Sequence, residues 1–232
     1  MEYLPNGYTM ELPDGTFPLS TDSLILAHLV HLPRNARILD LGSGCATLGL
    51  LLCARDTGCS VTGVELTSAS HEAALENIRR NGLEDRLHSV CADLRVLPPE
   101  LSDGIFNICV SNPPYFSGGP ASKTLPLARR DDCCTPEDLF RCASKAIKYG
   151  GDFYLVHKPE KLAQLIAAGN TFSMEAKELT LIRHRTDSPI SMIVLRFKKG
   201  GKPGLKLHEY SLFDSQDHPT VFYRDVYHMK GD

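Results

Sequence analysis

Apolar residues recur along this chain in two alternating patterns. Short continuous apolar runs are typical of strands buried on both faces, and segments with apolar residues every three or four positions are typical of amphipathic helices. The predicted strands span residues 36–41, 60–65, 86–92, 105–110, 152–157, 176–184 and 190–197. The predicted helices span residues 22–31 (capped by Thr21 or Asp22), 47–56, 68–81, 136–149 and 159–168. The alternation predicts an α/β fold, with a central seven-stranded, mostly parallel sheet and helices on both faces.

Composition places the chain among ordinary globular proteins, because its 232 residues are 42% hydrophobic and 23% charged. The net charge of -3 gives no global sign of nucleic-acid binding but leaves room for a local basic patch. The eight cysteines form no metal-binding pattern, so we expect free thiols in a reducing, cytoplasmic compartment and no metal. No apolar run approaches the ~20 residues of a membrane helix. We expect a monomer that does not enter a membrane.

Polar or flexible residues follow four successive predicted strands. They are Gly42, Glu65, Asp93 and Asn112. In open parallel sheets, ligands bind beyond the carboxyl ends of the strands. The four positions together therefore predict a binding site at one edge of the sheet.

The segment Asp40–Gly44 reads DLGSG and joins the first strand to a helix. Glycines at such a junction let the backbone approach an anionic group at the helix N-terminus, although a plain tight turn has the same pattern. The dinucleotide fingerprint G-x-G-x-x-G is incomplete, because its third glycine position holds Thr47.

The acids at the next two strand ends suit a nucleoside. Glu65 can accept both hydrogens of a ribose diol, and Asp93 or its neighbouring backbone can accept from an adenine amino group. Each acid alone is equally typical of a solvated strand end or a turn. Together with the glycine loop they favour S-adenosylmethionine (SAM), which has a carboxylate, a ribose and an adenine. NAD fits the ribose, but no pyrophosphate cradle is visible.

The fourth strand runs into VSNPPYFS, residues 110–117. The side-chain carbonyl of Asn112 and the backbone carbonyl of Pro113 can accept both hydrogens of an exocyclic amino group and align its lone pair with an incoming methyl group. Pro113 and Pro114 stiffen the loop. Tyr115 offers a flat face for a flipped base, and Phe116 lines the same pocket. The alternative is a proline-rich turn in which Tyr115 only packs.

These motifs carry a family resemblance. DLGSG, VTGVEL, CADL and VSNPPYF resemble the class I SAM-dependent methyltransferases with their Rossmann-like fold, and NPPY resembles the branch that methylates amino or amide nitrogens. The stretches FPLSTDSLILAH, ARRD and FYLVHKPEKL are similar to the bacterial tRNA (adenine-N6)-methyltransferase family that modifies adenine 37 of a valine tRNA. The resemblance implies SAM as cofactor and an adenine N6 in tRNA as acceptor.

The resemblance also implies the site residues. The catalytic set is Asn112, Pro113, Pro114 and Tyr115. The cofactor set is Thr21, Asp40, Gly42, Gly44, Glu65, Leu66, Asp93, Leu94 and Asn112, with Asp22 bordering the same pocket. The substrate set is Tyr115, Phe116, Arg129, Arg130, Lys198 and Lys199. The arginines and lysines would contact RNA phosphates, unless they are merely solvated loop residues.

One departure from the family lies in the glycine loop. Relatives usually continue it as G-x-G-x-G, but the third glycine is Ala46 here, and its methyl group could tighten the SAM pocket. We expect residues 1–35 to form a segment with a helix flanking this pocket, and residues 36–200 to form the methyltransferase domain. Residues 201–232 are expected to form a C-terminal tail with a terminal strand or a docking role.

Three other functions stay open. A glutamine methyltransferase of release factors uses the same NPPY chemistry, but the 35 residues before the first strand are too few for its usual N-terminal helical domain. Enzymes that methylate guanine in rRNA or adenine in DNA commonly carry recognition domains. The third alternative is a catalytically silent partner protein with a methyltransferase fold.

Overall fold

Ten strands and six helices are found in the computed structural model, within the residues it describes, 1–4, 7–13, 19–113 and 134–228. The strands are β1 (Glu2–Tyr3), β2 (Thr9–Met10), β3 (Arg37–Leu41), β4 (Ser60–Glu65), β5 (Leu87–Cys91), β6 (Phe106–Ser111), β7 (Ile147–His157), β8 (Met174–Arg185), β9 (Ile190–Lys199) and β10 (Lys206–Phe213). The helices are α1 (Thr21–Leu29), α2 (Thr47–Arg55), α3 (Ser68–Arg80), α4 (Pro136–Ala146), α5 (Leu162–Thr171) and α6 (Val221–Val226). None of these helices is long and apolar enough to cross a membrane.

One sheet in the order β10-β8-β9-β7-β6-β3-β4-β5 forms the centre of the structure. β9 is antiparallel to both of its neighbours, and the other neighbouring pairs are parallel. The predicted α/β fold with a mostly parallel sheet is confirmed. The sheet has eight strands rather than seven, because Lys206–Phe213 pairs with β8 at the edge. Its first five residues are exposed, so it lacks the apolar run that marks a buried strand.

Helices cover both faces of the sheet, which explains the nearly continuous apolar runs of its central strands. Successive residues of a strand point to opposite faces. In β3, Ile38 belongs to the core cluster that includes residues of α1, α2 and α3, whereas Leu39 and Leu41 belong to the cluster that includes residues of α4 and α5. The candidate site must therefore lie at an edge of the sheet and not on a face.

Several predicted helix limits differ from the structure by a few residues, and two of the differences have a clear local cause. The first helix is capped by Ser20, not by Thr21 or Asp22, because the Ser20 hydroxyl accepts a hydrogen bond from the N–H of Ser23. The helix predicted for 136–149 ends at Ala146, since Ile147 is fully buried, turns extended and pairs with Phe106. β7 therefore follows α4 without a loop.

Aromatic residues fasten the C-terminal part of the described chain to α1. Tyr210 of β10 stacks on Phe222 of α6, with ring centroids 4.3 Å apart, and Phe222 meets His28 of α1 edge to face. The Tyr227 hydroxyl is hydrogen bonded to the Thr21 hydroxyl at 2.9 Å. The end of the chain thus supports the first helix.

The core beneath α4 allows a test of the fold. Phe140 lies edge to face against Phe153 at 5.2 Å and Phe197 at 4.7 Å, and all three are fully buried. Phe140→Ala should lower the free energy of unfolding by about 3–5 kcal/mol, because it opens a cavity between α4 and the sheet. Val96→Ala, at a position 78% exposed, should change it by less than about 0.5 kcal/mol. Urea denaturation followed by circular dichroism measures both, and equal losses would contradict this packing.

Candidate active site

The carboxyl ends of four parallel strands meet at one edge of the sheet. Asp40 of β3 is aligned with Gly63 of β4 and with Val110 of β6, and Glu65 of β4 is aligned with Cys91 of β5. The residues that follow these strands are therefore neighbours in space although they are far apart in the sequence. The convergence predicted from the four strand ends is confirmed by this register.

The glycine loop after β3 folds back onto the end of β4. The N–H groups of Gly42 and Ser43 donate to the carbonyl of Val64 at 2.9 and 3.1 Å. Gly42 and Gly44 have φ values of 76° and 54°, in the left-handed region that glycine adopts without strain. A side chain at Gly63 would collide with Ser43, because an added Cβ would lie 2.5 Å from the Ser43 hydroxyl oxygen. The loop is thus held tightly against the strand.

Glu65 links this loop to the next connection. One carboxylate oxygen accepts from the N–H of Gly44 at 3.0 Å. The other accepts from the N–H and the hydroxyl of Thr67 at 2.9 and 2.8 Å. The carboxylate is therefore fixed at the mouth of the glycine loop, where the sequence places a ribose-binding acid.

Asp40 is a buried carboxyl group next to the glycine loop. It is 1% exposed, and neither of its side-chain oxygens has a hydrogen-bond partner among the described residues. Burial raises the pKa of Asp40 to about 8, and the nearby negative charge of Glu65 adds to this rise. A buried carboxyl group without partners is costly, so the site is suited to a ligand that brings hydrogen-bond donors or positive charge.

The side chain of Asp93 is engaged by Arg95. Its carboxylate accepts from the backbone N–H of Arg95 at 2.9 Å and from the Arg95 guanidinium at 2.6 Å. These hydrogen bonds with Arg95 lower the pKa of Asp93. The side chain thus stabilises the turn after β5, which is one of the ordinary roles that the sequence allowed for this acid.

Two apolar residues lie at the same edge. Leu66 is 48% exposed, and Leu94 is partly buried.

Asn112 follows β6 and is held by α1. Its side-chain Nδ2 donates to the Ser23 hydroxyl at 2.9 Å, with the Ser20 hydroxyl at 3.4 Å. Next to it, the Ser111 hydroxyl donates to the carbonyl of Leu41 at 2.8 Å, which ties β6 to the start of the glycine loop. Asn112 is therefore fixed beside that loop.

Three polar residues that support the site were not predicted from the sequence. Ser20 and Ser23 hold Asn112, and their only signal was their position in the STDS stretch at the start of α1. Asn77 is fully buried in α3 and donates to the carbonyls of Cys45 in the glycine loop and of Glu11 near the N-terminus. A polar residue on the apolar stripe of a helix was the available signal for Asn77.

Thr21 and Asp22 lie at the N-terminus of α1, beside the serines that hold Asn112. The Thr21 hydroxyl is engaged by Tyr227. Burial raises the pKa of Asp22, and the positive charge of Lys158 opposes that rise. The structure therefore brings Thr21, Asp40, Gly42, Gly44, Glu65 and Asn112 to the same edge of the sheet.

Lys198 and Lys199 are not brought to this edge. Lys198 pairs with Asp152 in the middle of β7, because β9 runs antiparallel to β7. Asp152 is in turn aligned with Ile108, in the first half of β6. Its amine donates to the carbonyl of Gly150 at 2.8 Å, and the Lys199 amine donates to the carbonyls of Ser144 and Ile147. Both side chains thus connect structural elements at the opposite edge, and their predicted contact with RNA finds no support there.

Five other predicted residues lie outside the described part of the chain. They are Pro114, Tyr115, Phe116, Arg129 and Arg130. Pro113, the last described residue before them, is buried.

Ala46 occupies a backbone conformation that suits glycine. Its φ of 70° is left-handed, and it immediately precedes α2. The residue is 3% exposed and belongs to the core cluster that contains Leu50. The departure from the family pattern therefore strains the backbone, and the methyl group packs into the core.

A known protein family matches the part of the chain that contains this site. Residues 19–172 match the family described as "Methyltransferase small domain". The match includes the glycine loop and Asn112, and it ends before Lys198 and Lys199.

Two relatives by sequence share one name, tRNA1(Val) (adenine(37)-N6)-methyltransferase. The protein of Photobacterium profundum is 26% identical over 212 residues, which cover 85% of this chain and 87% of the relative. That of Edwardsiella ictaluri is 30% identical over 182 residues, which cover 77% of this chain and 73% of the relative.

A solved structure also resembles this chain. It is the crystal structure of a predicted O-methyltransferase, protein Atu636 from Agrobacterium tumefaciens. The TM-score is 0.76 at 26% sequence identity, and the alignment covers 90% of this chain and 96% of the other.

Asp40→Asn should make stability less dependent on pH. In the ligand-free wild type, the buried carboxyl group keeps its proton up to about pH 8, whereas an unfolded aspartate loses it near pH 4. A rise in pH between these values therefore favours the unfolded wild type, and the variant lacks this loss. We expect the variant to gain stability relative to the wild type from about pH 4 to about pH 8, and no further gain above that. Urea midpoints across this range measure the effect, and parallel pH profiles would contradict the raised pKa.

Substitutions of Ala46 test the strain at the glycine loop. Ala46→Gly should change the free energy of unfolding by less than about 1 kcal/mol. Glycine relieves the strain of the left-handed backbone. This gain offsets two losses, the packing of the methyl group and the lower conformational freedom that alanine gives the unfolded chain. Ala46→Val should lose more than about 2 kcal/mol, because a β-branched residue is strained at positive φ. Thermal unfolding measures both. Ala163→Val, at an exposed position in α5, is the control and should lose less than about 1 kcal/mol.

Proposed function

Because the chain belongs to the methyltransferase small domain family, we propose that it transfers the methyl group of SAM to the exocyclic N6 of an adenine in tRNA. The proposed acceptor is adenine 37 of a valine tRNA, as the names of the two relatives suggest. The observation that carries the proposal is Asn112, which lies at the end of β6 beside the glycine loop with its amide nitrogen bound to Ser23. A tRNA substrate implies that the enzyme acts in the cytoplasm.

The residues at the sheet edge fit SAM, which supplies an electrophilic methyl group on a sulfonium when it is bound. The orphaned carboxyl group of Asp40 offers two acceptor oxygens for the positively charged amino acid part. Glu65 already accepts three hydrogen bonds from Gly44 and Thr67, and it keeps one lone pair, on the oxygen bound to Gly44, for a ribose hydroxyl. Leu66 contributes exposed apolar surface beside the strand end that is proposed to hold adenine.

Asn112 and Pro113 are proposed to hold the acceptor nitrogen. An adenine amino group is a weak nucleophile, because its lone pair is delocalised into the ring. Two carbonyl acceptors, the Asn112 side chain and the Pro113 backbone, would each accept one amino hydrogen and turn the lone pair toward the methyl group. Most of the acceleration then comes from positioning, so the reaction needs neither a strong base nor a metal.

The remaining assignments rest on the resemblance. Pro114 would stiffen the loop, and Tyr115 and Phe116 would hold the flipped base. Arg129 and Arg130 would contact RNA phosphates.

The proposal predicts which nucleoside becomes methylated. We would incubate the purified protein with radiolabelled SAM and total bacterial tRNA, digest the RNA to nucleosides and separate them. Label should appear in N6-methyladenosine, and Asn112→Ala should reduce it by at least about 100-fold, the scale seen when a group that stabilises the transition state is removed.

Asn107→Ala is the matched control in the same strand. Asn107 lies near the start of β6, and its side chain accepts from the N–H of Arg37 at the opposite edge of the sheet. This variant should keep its activity within about threefold of the wild type, an effect smaller than about 1 kcal/mol. Label in a release-factor glutamine, but not in tRNA, would replace adenine by an amide acceptor. Label in neither would contradict the proposed acceptor class.

A further inference from the structure

The hydroxyl of Ser23 lies between Asn112 and the start of α1. It is 2.9 Å from Asn112 Nδ2 and 3.3 Å from the Ser20 hydroxyl. Ser23 is 6% exposed, so its hydroxyl has little access to water. A buried hydroxyl must find its partners within the protein, and these two are the partners that the described residues provide.

The helix terminus allows a continuous chain of donors through these hydroxyl groups. The N–H of Ser23 donates to the Ser20 hydroxyl oxygen at 3.3 Å, as a helix cap does. This oxygen can also accept the hydroxyl hydrogen of Ser23. The lone pairs of the Ser23 oxygen then face Asn112 and require a donor, which only the Nδ2 end of the amide provides. In this arrangement the donors run from Asn112 to Ser23 to Ser20, and Nδ2 of Asn112 also lies 3.4 Å from the Ser20 hydroxyl.

An asparagine amide without such a restraint can turn its two ends around. With Nδ2 toward Ser23, the carbonyl Oδ1 is directed away from α1 and is available to accept a hydrogen. With the amide reversed, an NH₂ group would face the amino group of the substrate, and two donors repel each other. The direction of one hydrogen bond thus decides whether Asn112 can assist methyl transfer.

We propose that Ser23 is a positioning residue that keeps the Oδ1 atom of Asn112 facing the acceptor amino group. The inference rests on the proposed function, because it assumes that Asn112 accepts a hydrogen from the substrate. It extends the site from the strand ends to a helix that lies 89 residues earlier in the chain.

Other contacts hold α1 in place for this role. The Thr21 hydroxyl is bound to Tyr227 at the N-terminal end of the helix. At the other end, the Arg55 guanidinium donates to the carbonyls of Ala27 and Val30, in the last turn, where helix carbonyls lack partners within the helix. Both ends of α1 are therefore held by contacts with other elements, and these contacts restrain the position of Ser23.

Kinetics of Ser23→Ala test the consequence. We expect kcat for tRNA methylation to fall about 10- to 100-fold, with the KM values for tRNA and SAM within about threefold of the wild type, because the lost restraint acts on the reacting nitrogen and not on binding. Ser23→Thr keeps the hydroxyl and should restore most of kcat. Ser144→Ala removes a helix serine whose hydroxyl donates to its own helix at Arg141, and it should leave kcat within about twofold.

A double-mutant cycle distinguishes positioning from general destabilisation. If Ser23 acts only through Asn112, Ser23→Ala combined with Asn112→Ala should be no slower than Asn112→Ala alone. If Ser23 only supports the fold, the two losses should multiply. Multiplied losses, or an unchanged kcat in Ser23→Ala, would overturn the proposal.

An NMR measurement examines the geometry without requiring turnover. The side-chain NH₂ of Asn112 in ¹⁵N-labelled protein should exchange slowly with solvent in the wild type and at least about tenfold faster in Ser23→Ala, since its buried acceptor is gone. Equal exchange rates would overturn the proposal. If the Asn112 side-chain hydrogens of the wild type exchange slowly but the protein does not methylate tRNA, the proposed function fails. The contact between Ser23 and Asn112 would then still be supported.

Discussion

The hydrogen-bond register between β5, β4, β3 and β6 is the constraint on which the whole site depends. It places Asp40 beside Val110 and Glu65 beside Cys91, so that the loops after four strands meet at one edge. A shift of one residue in any of these strands would turn its side chains to the opposite face of the sheet. The apolar residues that fill both faces resist such a shift, and the packing of the core therefore fixes the geometry of the polar edge.

The polar groups at this edge differ in whether the protein itself satisfies their hydrogen bonds. Asn112, Glu65 and Ser111 are engaged by the protein, whereas the buried carboxyl group of Asp40 has no partner among the described residues. Native structures satisfy most buried polar groups, and the exceptions concentrate where a ligand completes the set. The fixed positions of the engaged groups and the unsatisfied oxygens of Asp40 together support the proposed SAM site.

The two ends of the chain help to build a site whose central residues lie between them. Tyr227, near the C-terminus, holds the start of α1, and Asn77 connects Glu11 to the glycine loop at Cys45. Neither contact belongs to the sheet. The sheet thus supplies the edge at which the strands end, and these contacts help to hold the glycine loop and the start of α1 beside it.

The sequence by itself determined the alternation of strands and helices and the positions where the strands end, because both depend on local patterns of apolar, glycine and proline residues. It therefore predicted the sheet edge, the glycine loop and Asn112. It left a terminal strand as one of two roles for residues 201–232, but not its pairing with β8, because the first residues of β10 are exposed. It could not predict the contacts of Ser23 and Asn77, because a lone polar residue in a helix has no distinctive spacing. Only the tertiary structure decided that Lys198 and Lys199 lie at the opposite edge, since the antiparallel direction of β9 follows from strand pairing across the sheet and not from its own residues.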